Sequence, residues 1–366
     1  MSPPESSPRS VRKRRRRLFG AIAMVVSLAL VLALVEAILR LADPIGQNHE
    51  VEFDRYRQEA LRYAWDGLPA ARLGSVDLDG MLYHHKPSLD IDFGSYRLRT
   101  NSLGYRGPEI SKPKPAGTFR ILVIGDSVAY GTGVNDEVTF LRRWESELNA
   151  AGKQRFEVIN TGHPMYDSTQ ELALLRDEGL ALQPDLVLLV YVVNDIEPTR
   201  DVVESALLGK VSPPSETLPD PGDFWTRAAD LCAPILPSTA KLLRLQSDPA
   251  LRMLSTMPKG TEYVPELFGK GPRGWPRSQR AVLDMKALCA KANVPFFLLD
   301  HTLPALRALP GFCEQNQIPY FLFRFSSDEL ARPIRNSLMD SHSNAAGHEV
   351  LLGKLRAIAA HLPLPR

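Results

Sequence analysis

The stretch PDLVLLVYVVND at 184–195 is apolar on both faces. A strand with one wet face alternates apolar and polar residues. A strand apolar throughout needs cover on both sides, as in parallel sheets layered by helices. The rest of the chain repeats this logic. FRILVIGDS (119–127) is a short apolar run ending in a Gly-Asp-Ser turn, and FEVINTG (156–162) is another such run. Between them, VTFLRRWESELNAAG (138–152) sets Phe140, Leu141, Trp144 and Leu148 on one helical face. STQELALLRDEGLAL (168–182) reads as a second helix with Ser168 as N-cap. RSQRAVLDMKALCAKANVPFFLLD (277–300) repeats the helix–strand order, and IPYFLFRF (318–325) reads as a fifth strand. SNAAGHEVLLGKLRAIAAHL (343–362) closes the chain as a helix, with Ser343 placed to cap it. The alternation predicts an α/β protein, a three-layer α/β/α sandwich around a five-stranded parallel sheet.

A different segment sets the expected compartment. Leu18 to Val35 runs without a charged residue. At 1.5 Å per residue it covers roughly 27 Å, close to the hydrocarbon thickness of a bilayer. Residues 1–17 carry seven Lys or Arg against one acid, Glu5. Such a cluster stays on the cytoplasmic side. We expect residues 1–17 to be a basic cytoplasmic tail and 18–41 a single transmembrane helix in the cytoplasmic membrane. The remainder then lies on the far, periplasmic side. A cleaved signal peptide has a shorter apolar core and a small-residue cleavage site, and VEAILRLADP offers a poor one. Residues 42–117 read as an irregular extension, and 118–366 as the catalytic domain. The Pro-rich block 197–276 is too long for an ordinary connection and reads as an insertion after the third strand.

Composition narrows the function. Without the basic tail the chain has 37 basic and 41 acidic residues, so no basic surface suits a nucleic acid. The three cysteines, Cys232, Cys289 and Cys313, match no metal-binding spacing. GTG at 131–133 lacks the length and the Lys of a phosphate-binding loop. No metal and no cofactor are implied.

Strand C-termini in a parallel sheet point to one edge, where ligands bind. Ser127, the loop after Gly162, and Asn194 with Asp195 should converge there, and Asp340 and His342, just before the last helix, can join them. Together they supply a nucleophile, a base with an orienting acid, and donors for an oxyanion.

Four blocks carry a resemblance. IGDSVAYGTGV, VINTGHPMYDSTQEL, LVLLVYVVNDI and DSHSNAAGH are similar, in order and spacing, to the conserved blocks of the SGNH (GDSL-type) hydrolases. Their fold is flavodoxin-like. TNSLGYRG and VEAILRL also resemble segments of membrane-anchored members. The resemblance implies Ser127 as nucleophile, His342 as base and Asp340 as the acid that holds the imidazole. Many members place that acid three residues before the His, where this chain has Met339; others, alginate acetyltransferase-like ones among them, use the Asp-x-His spacing found here. The resemblance further implies an oxyanion hole of the Ser127 N–H, the Asn194 side chain and a third donor. The usual Gly of that third position aligns with Met165, whose backbone N–H is the expected donor, with Gly162 as the substitute.

The remaining polar residues read as structural. Asp126 braces the turn before Ser127. His348 belongs to the last helix, His163 is a loop residue, His301 ends a strand, and nothing near His84 and His85 completes a metal site. The resulting expectation is a serine esterase acting on an acyl ester, a glycan or lipid among the candidates, outside the cytoplasmic membrane. Two alternatives share the fold: an O-acyltransferase passing the acyl group to a glycan hydroxyl, and a non-catalytic envelope-binding protein.

Overall fold

The computed structural model describes residues 8–42, 52–53, 55–69, 72, 76–77, 80–152, 154–196, 224–236, 238–240, 243, 262–263, 274–337 and 340–365. Most of the expected insertion 197–276, and Met339, lie outside the described residues. The elements, in chain order, are helix α1 (Pro8–Ala42), the short strands β1 (Leu61–Tyr63), β2 (Tyr83–His85), β3 (Asp90–Asp92) and β4 (Arg97–Arg99), then β5 (Thr118–Gly125) and α2 (Ser127–Tyr130). They continue as α3 (Phe140–Ala150), β6 (Arg155–Asn160), α4 (Ser168–Leu174), β7 (Leu186–Tyr191) and α5 (Phe224–Cys232). The last are β8 (Glu262–Tyr263), α6 (Gly274–Lys291), β9 (Phe296–Asp300), β10 (Ala305–Leu306), α7 (Ala308–Gln315), β11 (Tyr320–Leu322), α8 (Ser327–Leu330) and α9 (Ala345–Ala359).

The chain divides into two compact units, one of residues 49–214, 257–336 and 340–366, the other of 1–48, 215–256 and 337–339. The first holds the five-stranded sheet, in the order β6-β5-β7-β9-β11, with every pairing parallel. All six residues of β7 are buried, as its two-sided apolar pattern requires. The pleat sends alternate residues to opposite layers. Leu122, Ile124, Val187, Leu189 and Tyr191 face a core built with Leu174 of α4 and Val282 and Met285 of α6. Ile121, Val123, Leu186, Leu188 and Val190 face Phe140 and Trp144 of α3 and Leu351, Leu352 and Leu355 of α9. The strand order reverses beside β5, because β6 adds on one side and β7 on the other. A crevice at such a reversal, at the C-terminal strand ends, is the ligand position of open α/β folds.

Three local readings change. Asp167, not Ser168, caps α4, its carboxylate accepting the N–H groups of Thr169 (2.9 Å) and Gln170 (3.2 Å). Asn344, not Ser343, caps α9. The extension before β5 is built into the unit. β1–β2 and β3–β4 are antiparallel pairs, and Tyr56, Leu82, Tyr83, Leu98 and Tyr105 are buried in the same core as the sheet. Each of these strands is three residues long, too short for an alternation to show in the sequence.

The two ends of the long block after β7 meet: a Cβ on Gly274 would lie 1.7 Å from the Ile196 carbonyl oxygen. Its middle, 215–256, groups with α1 in the second unit. There the Glu36 carboxylate accepts the N–H groups of Ser238 and Thr239, both at 3.0 Å, and pairs with Arg40 at 2.8 Å. The Arg15–Leu41 part of α1 is long and apolar enough to cross a membrane.

Candidate active site

The turn after β5 carries the first expected residue. Asp126 is the N-cap of α2, its Oδ1 accepting the Val128 N–H at 2.8 Å. Ser127 opens the helix half-buried and donates its hydroxyl to Asp126 Oδ2 at 3.0 Å. Burial raises the Asp126 pKa, opposed by the hydrogen bonds from Val128, Ser127 and Asn194 and by the charge of His342. Ser127, Asn194 and His342 therefore all act on one buried carboxylate at the end of β5.

The loop before α9 supplies an imidazole with a partner. His342 Nδ1 lies 2.5 Å from Asp340 Oδ1, and the His342 backbone N–H donates to the same oxygen at 3.0 Å. The other oxygen, Oδ2, accepts the Asn336 side-chain amide at 2.9 Å. That amide also donates to the Thr132 carbonyl at 3.1 Å, tying the acid to the segment after α2. Asp340 is buried, which opposes its charge, but the His342 and Asn336 hydrogen bonds outweigh burial and hold its pKa at about 2. Burial also opposes a charged His342, yet the Asp340 hydrogen bond and charge prevail and raise its pKa above the usual value. An imidazole whose Nδ1 is held by a carboxylate presents Nε2 for proton transfer.

The oxyanion candidates come from two further strand ends. Asn194 sits on the short turn Val193–Ile196 after β7, with its side-chain amide 3.4 Å from the Tyr166 carbonyl. The next residue anchors that turn: Asp195 Oδ2 accepts the Val192 N–H at 2.6 Å, and burial pushes its pKa up. Met165 follows β6 and has φ +68°, the left-handed region that Gly occupies without cost. Gly162 is the expected substitute donor. Its N–H donates to Asn160 Oδ1 at 3.0 Å, and a Cβ there would sit 2.4 Å from the Tyr130 nitrogen. The position needs Gly for close approach to α2.

His84, His85, His163, His301 and His348 are core residues. His348 takes the Phe140 N–H on Nδ1 at 3.3 Å. His301 is buried against Phe323 and Phe325. His163, expected as a loop residue, is fully buried and stacks on His85 with ring centroids 4.2 Å apart. Among the described residues no group of His, Cys, Asp or Glu has the arrangement to hold a metal ion. Sequence reasoning missed Asn336, since a lone Asn four residues before Asp340 carries no pattern of its own.

The GDSL-like lipase/acylhydrolase family profile matches residues 123–350, more than half of the chain. No curated protein matches the sequence. Solved structures with similarity include a lipase/acylhydrolase from Enterococcus faecalis, at 12% identity and TM-score 0.38, covering 68% of this chain and 99% of that one. The esterase EstA from Pseudoalteromonas sp. shows 12% identity and TM-score 0.38 over 66% of this chain and 97% of its own. A GDSL-like lipase from Bacteroides thetaiotaomicron shows 11% identity and TM-score 0.34 over 66% and 89%. With its sheet, its Gly-Asp-Ser turn and the matched span in agreement, this chain belongs to the GDSL-like lipase/acylhydrolase family and is an ester-hydrolysing enzyme.

Proposed function

We propose that the protein is a membrane-tethered serine esterase working through a Ser127–His342–Asp340 acyl-enzyme mechanism outside the cytoplasmic membrane. The observation that carries it is the Asp340–His342 hydrogen bond of 2.5 Å, held by Asn336 beside the segment that follows Ser127. In this reading His342 Nε2 removes the Ser127 hydroxyl proton as Oγ attacks the ester carbonyl. The carbonyl becomes a tetrahedral oxyanion facing the Ser127 and Met165 N–H groups and the Asn194 amide. Its collapse breaks the ester bond, and His342 gives its proton to the departing alcohol. Water, deprotonated by the same imidazole, then attacks the acyl-enzyme, releasing the acid and restoring Ser127. Asp340 keeps Nδ1 protonated and stabilises the imidazolium without itself taking the proton.

The test is fluorophosphonate labelling of the full-length protein with mass-spectrometric mapping, followed by a panel of acyl esters. Labelling at Ser127 with ester turnover is the expected result. Turnover without labelling at Ser127 overturns the nucleophile assignment. The tether is tested apart: full-length protein should stay with membranes in high salt, and removal of residues 1–42 should release a soluble body. Release by salt alone would sink the anchor.

A further inference from the structure

TNSLGYRG and the strand β2 lie upstream of the matched family region, which begins at residue 123. Yet both reach the candidate site. Arg106 is 2% exposed. Its Nη1 donates to the carbonyls of Tyr130 (2.9 Å) and Gly131 (2.6 Å), and its Nη2 to that of Val134. Tyr130 ends the four-residue helix opened by Ser127, Gly131 is its C-cap, and Val134 lies just beyond. The guanidinium also lies 4.8 Å from the Tyr130 ring centroid, with the Asp136 carboxylate 3.9 Å from Nε. A planar fork of donors can hold several carbonyls at once, which a lysine ammonium does less rigidly. The Arg106 backbone bridges to Asn160, whose amide donates to the Ala129 carbonyl at 2.7 Å and whose oxygen holds the Gly162 N–H.

The second contact is on the loop that carries Met165. Buried Tyr83 donates its hydroxyl to the Pro164 carbonyl at 2.6 Å. Tyr166 donates its own hydroxyl back to the Tyr83 carbonyl. The residues on both sides of Met165 are thus tied to Tyr83. A non-Gly residue at positive φ costs free energy and persists only where its surroundings over-determine it. Loosening either tie lets residue 165 relax, which turns its N–H and moves the Tyr166 carbonyl against which Asn194 rests.

We propose that the segment 83–106 supplies two positioning residues for the reaction: Arg106, which holds the turn of Ser127, and Tyr83, which holds the oxyanion loop. The assignment rests on the serine-esterase reading above. Neither residue touches substrate. Their effect is on the geometry met by the developing oxyanion, so kcat should fall while KM holds.

The test uses full-length protein in detergent micelles, with active sites counted by fluorophosphonate titration. Tyr83→Phe keeps the ring and removes only the hydroxyl. It should lower kcat per titrated site by about 10-fold with KM within about 2-fold. Tyr105→Phe is the control. It removes a hydroxyl of the same extension that bonds Glu178 at 2.5 Å. It should lower the melting temperature with kcat per site nearly unchanged. Arg106→Lys should cost about 10²-fold in kcat; if it fails to fold, Tyr83→Phe still decides. Equal kcat losses in the two tyrosine variants, or unchanged kcat per site in Tyr83→Phe, overturn the proposal. Wild-type protein that turns over ester without labelling at Ser127 instead sinks the reading beneath it.

Discussion

His342 and His348 stand six residues apart, on either side of the N-cap of α9, and meet opposite fates. His348 is 1% exposed, stacks on Phe140 and faces no carboxylate in its hydrogen bonds. Burial pushes its pKa down to about 3, so it stays a neutral acceptor for the Phe140 N–H. His342 is also taken from water, but Asp340 reverses the balance and raises its pKa. Desolvation alone makes a histidine inert; desolvation beside a fixed carboxylate makes it a base. The difference lies in the carboxylate partner and in depth, since the His342 side chain is 27% exposed.

The largest expected effect tests the partnership directly. His342→Ala should lower kcat by about 10³-fold or more with little change in melting temperature, and Asp340→Asn by a similar or smaller factor. His348→Ala should do the reverse, costing about 1–3 kcal/mol of stability while kcat per active site stays near wild type. A folded His348→Ala enzyme as inactive as His342→Ala would erase the distinction.

Asn194→Ala comes next, with a loss of roughly 10²–10³-fold in kcat and KM little changed. Equal losses in binding and turnover would mean that Asn194 holds the ground state rather than the oxyanion.

The pH dependences should separate the two histidines by sign. Catalysis needs neutral His342, so the acid limb of kcat/KM should lie above pH 6.5, where its raised pKa puts it. Asp340→Asn should move that limb to lower pH. For stability, the charged His342 pairing contributes fully below pH 6.5 and is lost as pH rises through the folded pKa. His348 acts the other way. Between pH 6.5 and 3 the unfolded chain binds a proton that the folded one does not, so stability falls as pH drops. Denaturant melts at pH 7 and 5 should show His348→Gln losing less than wild type, by at most about 1.4 kcal/mol per pH unit. An unchanged slope would mean His348 is not buried neutral.

The smallest effect concerns Met165. Only its N–H is assigned a role, so Met165→Gly and Met165→Ala should change kcat by less than about 3-fold. Its φ of +68° rules out Pro as an informative probe, since the proline ring holds φ near −65°. A large loss in Met165→Gly would move the contribution from the backbone to the side chain.

The chain alone carried the layered sheet, because β5 and β7 bury both faces and such runs have few other solutions. It also carried Ser127, Asn194 and the Asp340–His342 pair as candidates, since each sits at a strand end or at a short fixed spacing. Local order of this kind survives in a linear reading. Tertiary structure decided what distance along the chain conceals. Asn336 meets the Thr132 carbonyl across 204 residues, and Tyr83 meets Pro164 across 81. It also separated Ser168 from Asp167 as the cap of α4, because the Ser168 hydroxyl is drawn instead to Asp195, 27 residues on. Residue type says which atoms can donate and accept. Only the packed chain says which of them are close enough to meet, because hydrogen bonding and charge pairing act over a few ångströms.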